Sequence, residues 1–565
     1  ITRSLHDALR DLRDGTRVRR VWADALCINQ LDIPERNSQV ALMGRIYSVA
    51  ASTIIYLGDL TVHASEVFAA ASPRQPHNSA PVTAEDASGG VTALAVRDLL
   101  SRPWFKRVWV FQELVQSRDP WVQCGRTRVG WNDICRLLLD KVDSETRLSG
   151  NGKRALQILE DMHAARDLKK SYTLVQALKA RRGLGATDPR DMVYANLGVA
   201  NDGGLEINYE ETSQWIYVRA AQYMIDKVGI RELLSYVDDI AAGERLEGLP
   251  SWAPDWRLPS SDSTPLPHHK YSGLDLHDKV HHVFVEGDGL FVMGHIGYTV
   301  DSVKITGGTI PAADETYCIH SSRLRKSLGG PLHQELRRTR TKFYSQRTET
   351  MWASWVDWFR DLEGQTTPGS PASGGFAVFF ERWLSALLDK VNNREFTSWI
   401  ERDFMGLIHH HFQGPGTESP LKGRRLAITD TDKFCIVPSQ TRHGDIIGYL
   451  AGSATEVIFR PIQTPDRSEV SAVVLQAFRE TRRGYLYHRQ PTNRGVGENR
   501  LAFEWSTRDI DPTDVEHYRV IGEGLLEEGY GWCMRTKSPY YRYSEGTGVH
   551  DKEAAFDDLR VFALY

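Results

Sequence analysis

The sequence predicts an α/β fold with a parallel-sheet N-terminal domain, a helical middle region and a β-rich C-terminal domain. Short apolar runs alternate with amphipathic segments over the first 130 residues, which is typical of parallel βαβ units. Helical periodicity dominates residues 151–228. From residue 424 onward, short β-type runs are separated by Gly, Asp and Pro, which favours a curled sheet or small barrel.

The size and charge of the chain restrict its function. With 565 residues it is too long for one ordinary core, so two to four domains are expected. A net charge of −4 and a pI near 6.6 give no electrostatic reason to expect binding of nucleic acid or of an anionic membrane. No apolar run is long enough to span a bilayer. No signal peptide is visible, although the sequence starts at Ile1 rather than Met.

Six cysteines are scattered along the chain, and none forms a CxxC pair. This spacing indicates neither a disulfide framework nor a zinc knuckle. A reducing compartment, and hence a cytoplasmic location, is expected.

The first 60 residues predict a helix followed by a parallel βαβ unit. Leucines recur at helical spacing over residues 5–12. The apolar run at 19–28 is short and bounded by charge, as a buried strand would be. Residues 34–51 predict a helix that starts at Pro34 and has one apolar face, and 52–59 predict a second strand.

Further elements follow in the same way. Residues 71–91 are rich in Pro, Ser, Ala and Gly and predict a mobile insertion loop. Residues 91–117 predict two helices split near Pro103, and 121–131 predict a strand or hairpin. Two further segments are strongly helical, 151–182 and 210–228.

The character of the chain changes near residue 250, where five prolines exclude a continuous helix. Residues 281–303 predict a β-hairpin, and 331–412 predict a helical insertion. We therefore expect three domains: 1–150, 151–260 as a helical extension, and 261–565 as a mixed domain whose residues 424–565 form a sheet or barrel.

Several long segments resemble the fungal HET (heterokaryon incompatibility) domain family. VWADALCINQLDIPERNSQVALMGRIYSVAASTIIYLGD is similar to its central signature, and RPWFKRVWVFQELVQSRDPWVQCGRTRVGW to its second block. ATDPRDMVYANLGVA, INYEETSQWIYVRAA, LPSWAPDW, RRLAITDTDKFCIVPSQTRHGDIIGYLAGSATEVIFRPI and YRVIGEG resemble later blocks in the same order. Long motifs in a fixed order are far more specific than one short motif.

The resemblance implies a fold and a function. HET domains are thought to be distant relatives of TIR domains, so a TIR/flavodoxin-like N-terminal domain is implied. The family usually opens with an aromatic-x-Leu-Ser-Tyr-x-Trp-Gly strand, which this sequence lacks, so we expect the first strand of the domain to be missing. Some TIR domains cleave NAD at the nicotinamide–ribose bond with a Glu on a WCxxEL-type helix. RVWVFQEL is loosely similar to that helix, with Trp109 and Glu113 in the matching places.

Glu113 is the candidate catalytic residue. It lies one helical turn after Trp109, which would supply an aromatic wall for the substrate. A carboxylate in such a cleft could stabilise an oxocarbenium-like ribose and orient water. The alternative is a structural Glu that pairs with Arg107 or Lys106, or that caps a neighbouring segment.

Asp24 and Arg36 are the candidate substrate-binding residues besides Trp109. Asp24 would stand at a strand end, where ligands of open α/β sheets bind. Alternatively it caps the corner, with Arg36 or the following amides as its partner. Arg36 could grip a phosphate, or it could pair with Asp32 or Glu35.

Other polar residues are interpreted as structural. Cys27 has no histidine near it in sequence and is expected to be a small buried thiol. Asp188, Arg190 and Asp191 predict a salt-bridged helix start around Pro189.

The Trp252, Asp255 and Trp256 group could form an aromatic ligand clamp, but a segment that staples domains together is the preferred interpretation.

Histidines occur in three clusters, but no HExxH pattern accompanies them, so no metal site is predicted. These clusters are His268–His269, His281–His282 and His409–His411. GxGxxG, GxxxxGK[ST] and GxSxG are absent, so a dinucleotide fingerprint, a P-loop and a nucleophile elbow are unsupported.

Three functions remain open. The first is a HET protein of self/non-self recognition and programmed cell death that acts as a TIR-like NAD glycohydrolase, with NAD as substrate and no cofactor. The second is a non-enzymatic module that assembles with copies of itself or with a partner protein. The third is a HET-like scaffold recruited to secondary metabolism.

Overall fold

A computed structural model provides the structure of the protein. It describes residues 1–72, 91–145, 150–167, 172–237, 243–259, 282–287, 290–310, 421–431, 433–453, 455–463, 467–480, 485–487, 504–506, 512–526 and 560–565. The fold is mixed α/β. The chain divides into two compact units, Ile1–Tyr223 with Trp256–Pro259, and Met224–Asp255 with Ser260–Tyr565. The domain boundaries at residues 150 and 260 stay a prediction.

The first unit is mostly helical around a small sheet. Its helices are α1 (Arg3–Leu12), α2 (Asp24–Cys27), α3 (Ile33–Val49), α4 (Val62–Ala71), α5 (Ala93–Leu100), α6 (Val110–Gln116), α7 (Trp131–Glu145), α8 (Gly150–Asp167), α9 (Leu174–Arg181), α10 (Asp191–Leu197) and α11 (Ser213–Val228), which runs on into the second unit. Its strands are β1 (Thr53–Tyr56), β2 (Pro120–Cys124) and β3 (Thr127–Gly130).

The sheet of this unit has the order β1-β2-β3. β1 and β2 are parallel, and the crossover between them contains α4, α5 and α6. β2 and β3 form the antiparallel hairpin that the sequence predicts, and its turn includes Gly125 with φ of +54°. The crossover therefore places α6 directly before a central strand.

Local chemistry explains where the helices start. The Asp32 carboxylate accepts the Glu35 N–H at 3.0 Å, and a proline follows in the first turn, so α3 begins as predicted. Thr61, Thr92 and Thr173 cap α4, α5 and α9 in the same way. The core below them includes Phe68, Leu99, Phe111, Leu114 and Trp131.

The strand predicted at residues 19–28 is wrong. Asp24–Cys27 forms the short helix α2, and residues 13–23 are irregular. Ala23 and Ile28 on either side of it keep extended dihedral angles, but neither belongs to a strand of the described sheet. Val21 and Leu26 are about half exposed, so the apolar run has no buried face to stabilise a strand. The parallel pair β1–β2 is built from a later segment of chain instead.

Gly183 offers a test of packing in this unit. Its φ is +73°, and a Cβ added there would lie 2.4 Å from the Cα of Pro259. We expect Gly183→Ala to lower the free energy of unfolding by about 2 kcal/mol, because left-handed backbone strain and a backbone collision act together. Gly58→Ala is the control, since its φ is +97° but its nearest neighbour is 3.5 Å away. It should cost about 1 kcal/mol. Equal losses in chemical denaturation would refute the collision.

The second unit contains α12 (Ile230–Leu234), α13 (Arg467–Glu480) and ten strands among its described residues. They are β4 (His282–Gly287), β5 (Leu290–Thr309), β6 (Arg425–Thr429), β7 (Phe434–Val437), β8 (Ile446–Leu450), β9 (Glu456–Pro461), β10 (Tyr485–Tyr487), β11 (Glu504–Ser506), β12 (Glu516–Leu526) and β13 (Arg560–Leu564). The hairpin predicted at 281–303 is present as β4–β5.

The strands of the main sheet close on themselves. β5 pairs with β8, β8 with β9, β9 with β12, β12 with β13, and β13 again with β5. β6 and β7 form a second route from β5 to β12. β5 has 20 residues and contains register shifts, which lets one strand contribute to both routes. Val474, Leu475 and Phe478 of α13 pack against this sheet.

Some predictions fall outside the described residues. They are the helical insertion at 331–412, all but the margins of the loop at 71–91, and most of the clustered histidines.

Candidate functional site

Helix α6 carries the candidate catalytic residue and is held by buried side chains. Val110, Phe111 and Leu114 are fully buried, so the side of α6 that they form packs in the core. Trp109 is the N-cap, and its carbonyl accepts the Glu113 N–H at 3.2 Å. Trp109 and Glu113 are therefore one turn apart on the same side of α6, and both are partly exposed.

Gln112 connects α6 to two other helices. In the amide orientation that satisfies its hydrogen bonds, Gln112 accepts the Gly44 N–H at 2.7 Å and donates to Ala195 O at 3.3 Å. A Cβ on Gly198 would lie 2.2 Å from this amide. The close backbone approach of three segments thus requires glycine at this point.

The C-terminal end of α6 is capped by an arginine from α8. The Arg166 guanidinium donates to Leu114 O at 3.0 Å and to Arg118 O at 2.9 Å, and it also donates to Ser117 O. A cation at the carboxyl end of a helix satisfies free carbonyls and favours the helix dipole. The C-terminal end of α6 is therefore held by α8.

The Glu113 carboxyl lies in a desolvated and charged setting. Burial raises its pKa, and the nearby Asp24 charge raises it further. The positive charge of Arg107 and a hydrogen bond from the Trp104 indole oppose this effect. Among the described residues Glu113 has no ion-pair partner within 4 Å, so neither Arg107 nor Lys106 forms the salt bridge considered above.

Asp24 and Tyr47 share this setting with Glu113. Asp24 is the first residue of α2 rather than a strand end, and its carboxylate accepts the Ala25 N–H at 2.8 Å. Burial raises the pKa of the Tyr47 hydroxyl well above its usual value, and the charges of Glu113 and Asp24 add to this. Tyr47 therefore remains a neutral hydrogen-bond donor beside two carboxyl groups. Trp22 packs edge-on against it, with ring centroids 5.7 Å apart.

Arg36 takes part in an ion-pair network, but not with Asp32 or Glu35. Its guanidinium lies 3.1 Å from Asp188 and 3.9 Å from Asp191, and 3.5 Å above the ring of Tyr209. Arg190 also pairs with Asp188, at 2.8 Å. The salt-bridged start of α10 that the sequence predicts is present, and Arg36 is an additional member of it.

This network yields a stability prediction. We expect Arg36→Lys to lower the free energy of unfolding by about 1–2 kcal/mol, because an ammonium group cannot stack on Tyr209 and span two carboxylates at once. Arg45→Lys on the same helix is the control, since Arg45 is exposed. Its effect should stay within about 0.5 kcal/mol. Thermal denaturation followed by circular dichroism compares the two, and equal losses would contradict the stacking argument.

Asp191 lies near Trp109 at the start of α6. Its carboxylate accepts the Tyr209 hydroxyl at 2.5 Å, and the Trp109 indole favours its charged form. Burial raises the pKa of Asp191, while these two groups and Arg36 lower it. The Arg36 network therefore ends at the N-terminus of α6, close to Glu113 in sequence.

The remaining candidates occupy other places. Cys27 is an exposed free thiol, so the prediction of a buried thiol is wrong. Asp24–Cys27 forms a short surface helix instead of a strand of the described sheet, so the Cys27 side chain stays exposed. Trp252 and Trp256 are both buried, and Asp255 accepts the Leu246 N–H at 2.8 Å. Neither indole presents a face to solvent as an open clamp would.

The described residues offer neither a metal-binding cluster nor a helix able to span a membrane. No three His, Cys, Asp or Glu side chains there are grouped so as to hold a metal ion. His282 is buried and stacks on His295, with ring centroids 6.0 Å apart. Over the same residues, none of the helices combines the length and apolar composition needed to cross a bilayer.

Sequence reasoning missed four residues of this region: Tyr47, Trp104, Asp191 as a neighbour of Trp109, and Tyr209. Tyr47 belongs to the apolar face predicted for the helix at residues 34–51, where an aromatic side chain gives no sign of its polar atom. The Tyr209–Asp191 contact joins residues 18 apart across a loop, and no local pattern predicts it.

The N-terminal segment of the chain, which ends at Glu113, matches a known protein family. Residues 1–113 match the family model described as "Heterokaryon incompatibility protein (HET)". A curated relative, "Heterokaryon incompatibility protein 6, OR allele" of Neurospora crassa, is 24% identical over 328 residues, covering 45% of this chain and 48% of the relative. The chain thus spans about half the length of this relative. No solved structure matches the chain. Its first 113 residues, which end on Glu113, are therefore similar to the heterokaryon incompatibility family.

Proposed function

We propose that this chain acts in fungal self/non-self recognition of the heterokaryon incompatibility type, with programmed cell death as its outcome. The proposal is supported by the family match over residues 1–113 and by the Neurospora relative. A cytoplasmic location is part of the proposal. The free thiols of Cys27, Cys124, Cys135 and Cys435 are consistent with a reducing compartment.

The chemistry that fits the site best is hydrolysis of the N-glycosidic bond of NAD by a TIR-like N-terminal domain. The observation that carries this proposal is the electrostatic interaction of two carboxyl groups, Glu113 and Asp24, with each other and with the buried hydroxyl of Tyr47 in one partly desolvated setting. Paired carboxyl groups with unequal surroundings are the usual equipment of glycoside hydrolysis. The parallel β1–β2 pair with its helical crossover is compatible with a TIR-like domain.

The reaction assigns a role to each group. The bond between ribose C1′ and the nicotinamide nitrogen breaks, and its electron pair leaves with nicotinamide, which becomes neutral. The Glu113 carboxylate stabilises the oxocarbenium-like ribose. Water then adds to C1′, and Asp24 accepts the proton that the water loses. The Tyr47 hydroxyl donates its one hydrogen bond to one of the two carboxyl groups, and Trp109 stacks against a ring of the substrate.

The test is direct. The full chain is incubated with NAD at several protein concentrations and in crowding conditions that favour oligomers, and released nicotinamide is quantified by chromatography. Release above the buffer rate in at least one assembly state is expected. No release in any assembly state would refute the glycohydrolase, and it would leave the recognition role to be tested by cell killing.

A second function is favoured by a separate observation. Large apolar side chains are exposed in the first 62 residues, with Val18 at 96% and Leu31 at 93%. Such residues favour assembly with further copies of this chain as a non-enzymatic signalling module. Sedimentation velocity of Val18→Asp and Leu31→Asp tests this function. A non-enzymatic module should lose its oligomer and its cell killing together in these variants. The wild-type protein should then release no nicotinamide from NAD.

A further inference from the structure

The chain between α1 and α2 contains a strongly basic stretch, residues 13–21, which we call the basic segment. Its charged residues are Arg13, Asp14, Arg17, Arg19 and Arg20. All four arginines are exposed. Among the described residues, Arg19 is the one arginine of the four within 4 Å of a carboxylate, that of Asp14 at 3.1 Å. Three guanidinium groups therefore carry their positive charge into solvent without a close counter-charge from the described part of the chain.

The acidic residues of α1 do not neutralise this segment, because they have other partners. The Asp7 carboxylate lies 3.2 Å from the Arg10 guanidinium. Asp11 accepts the Tyr56 hydroxyl at 2.7 Å and also pairs with Arg10. The net charge of −4 for the whole chain thus hides a local excess of positive charge near its start.

The basic segment is held at its two ends and displayed between them. At one end, the Asp14 carboxylate accepts the Thr16 N–H at 3.0 Å and the Arg17 N–H at 3.2 Å, which forms a side-chain turn. Just beyond the other end, Trp22 packs edge-on against Tyr47. Residues 13–23 belong to no helix or strand. The arginines therefore project from a short irregular stretch that is anchored on both sides.

Aliphatic side chains alternate with the arginines. Val18 is 96% exposed and Val21 is 47% exposed. The surface of an anionic bilayer offers a partner for both kinds of side chain, since guanidinium groups pair with lipid phosphates and short aliphatic groups enter the boundary between headgroups and acyl chains. The alternation thus matches a layered partner that is anionic outside and apolar below.

Two other partners fit the same segment less well. Nucleic acid supplies phosphates, but it has no apolar layer for the valines, and the nearest aromatic ring, that of Trp22, packs on Tyr47 instead of standing free for a base. A second copy of the segment would bring two sets of arginines together, and like charges at an interface oppose pairing.

We propose that the basic segment docks this protein onto anionic phospholipid surfaces. The contact is peripheral, because no helix of the described residues can span a bilayer. Each arginine near such a surface strengthens binding about fivefold, and the attraction is confined to about 10 Å at an ionic strength of 0.1 M. Docking does not depend on NAD chemistry, since Glu113 lies outside the segment.

The experiment measures binding of the full chain to vesicles by co-sedimentation. Vesicles of phosphatidylcholine with one-third phosphatidylserine should bind the wild type at least about tenfold more tightly than vesicles of phosphatidylcholine alone. A variant that combines Arg13→Gln, Arg17→Gln and Arg20→Gln should bind the anionic vesicles about 100-fold more weakly, the product of three fivefold losses. Arg19 is kept, because its pairing with Asp14 supports the turn.

Three controls accompany this variant. Arg45→Gln, Arg97→Gln and Arg118→Gln together remove the same charge from exposed positions elsewhere in the unit, and binding should stay within about threefold of wild type. Glu113→Gln should bind vesicles like the wild type. Raising the ionic strength from about 0.1 M to about 1 M shortens the screening length to about 3 Å and should release the wild type, a test that needs no variant.

Val18→Ser examines the aliphatic contribution. It should weaken binding to the anionic vesicles about threefold, because a side chain that enters the headgroup layer loses its apolar surface. The positive charge of the segment is unchanged in this variant. Wild-type affinity for Val18→Ser would contradict the insertion of the valine.

Several results would overturn the docking role. They are equal binding of wild type to neutral and anionic vesicles, undiminished binding by the segment variant, and an equal loss in the variant with dispersed substitutions. Binding to single-stranded RNA without binding to vesicles would assign the segment to nucleic acid. A changed sedimentation coefficient of the segment variant in the absence of lipid, with vesicle binding intact, would assign it to self-association. Absence of nicotinamide release would refute the glycohydrolase and leave the vesicle result unaffected.

Discussion

Glu113→Gln is expected to reduce nicotinamide release from NAD by about 100-fold or more, because the amide cannot supply the negative charge that stabilises a developing oxocarbenium ion. The substitution keeps the shape of the side chain and removes only its ability to carry a charge. Loss of rate would therefore report loss of charge rather than of packing. Nicotinamide release under saturating NAD is the measurement.

The same variant should be more stable than wild type at neutral pH. Burial and the Asp24 charge raise the pKa of Glu113 in the folded protein, so the ionised carboxylate is disfavoured there relative to the unfolded chain. The stability that the protonated form contributes is present below the unfolded pKa and is lost as pH rises through the folded pKa. A neutral amide removes this loss, and the thermal midpoint of Glu113→Gln should rise. Catalytic groups commonly lower stability in this way.

Glu210→Gln is the matched control, since Glu210 is an exposed glutamate of the same unit. It should leave both the rate and the thermal midpoint unchanged. Asp24→Asn should slow release by a smaller factor and lower the Glu113 pKa, which moves the acidic limb of the pH–rate profile to lower pH. A Glu113→Gln protein with wild-type turnover would exclude Glu113 as the catalytic carboxylate.

Local sequence features were sufficient to predict helix α3 of the first unit. Helix α3 starts at a capping Asp32 followed by proline and buries Val40 and Met43, all of which are local features. The hairpin of β2 and β3 is equally local, because Gly125 supplies its turn. Elements of this kind need no knowledge of distant contacts.

Strand pairing and polar networks depended on information that is not local. The run at residues 19–28 has the composition of a strand, yet a strand also needs a neighbour with matching hydrogen bonds, and β1 pairs with β2 instead. Arg36 finds its partners 152 residues away, at Asp188. The charge interaction of Asp24 with Glu113 joins the two long motifs on which the resemblance rests. The spacing of residues along the sequence does not by itself predict that these two carboxyl groups interact.

A pH-dependent loss of stability is expected in the second unit, centred on His517. This imidazole is buried between α13 and β13: Ser471 lies 2.8 Å from Nε2 and the Tyr565 hydroxyl 2.7 Å from Nδ1. The Ser471 hydroxyl already donates to Arg467 O at 2.8 Å, so Nε2 must be the donor to Ser471. Nδ1 then accepts from Tyr565, and the histidine is neutral.

The pKa of His517 determines the direction and the size of this change in stability. Burial, together with the charge of Arg467, lowers the pKa of His517 from 6.5 to about 4. Above pH 6.5 neither the folded nor the unfolded state holds the proton, and stability is complete. Between 6.5 and 4 only the unfolded state binds it, so stability falls as pH falls and levels off below about 4. The lowering corresponds to about 3 kcal/mol.

Hydrogen exchange of β12 and β13, followed by mass spectrometry at pH 7 to 4 and corrected for intrinsic rates, measures this locally. Protection in wild type should fall steeply below pH 6.5. His517→Gln keeps a donor for Ser471 but cannot titrate, so its protection should start lower at pH 7 and depend much less on pH. His443→Gln, at an exposed histidine of the same unit, should behave like wild type. If His517→Gln keeps the wild-type pH profile, other groups cause the acid sensitivity. In that case burial and the hydrogen bonds to Ser471 and from Tyr565 do not lower the pKa of His517 enough to affect stability.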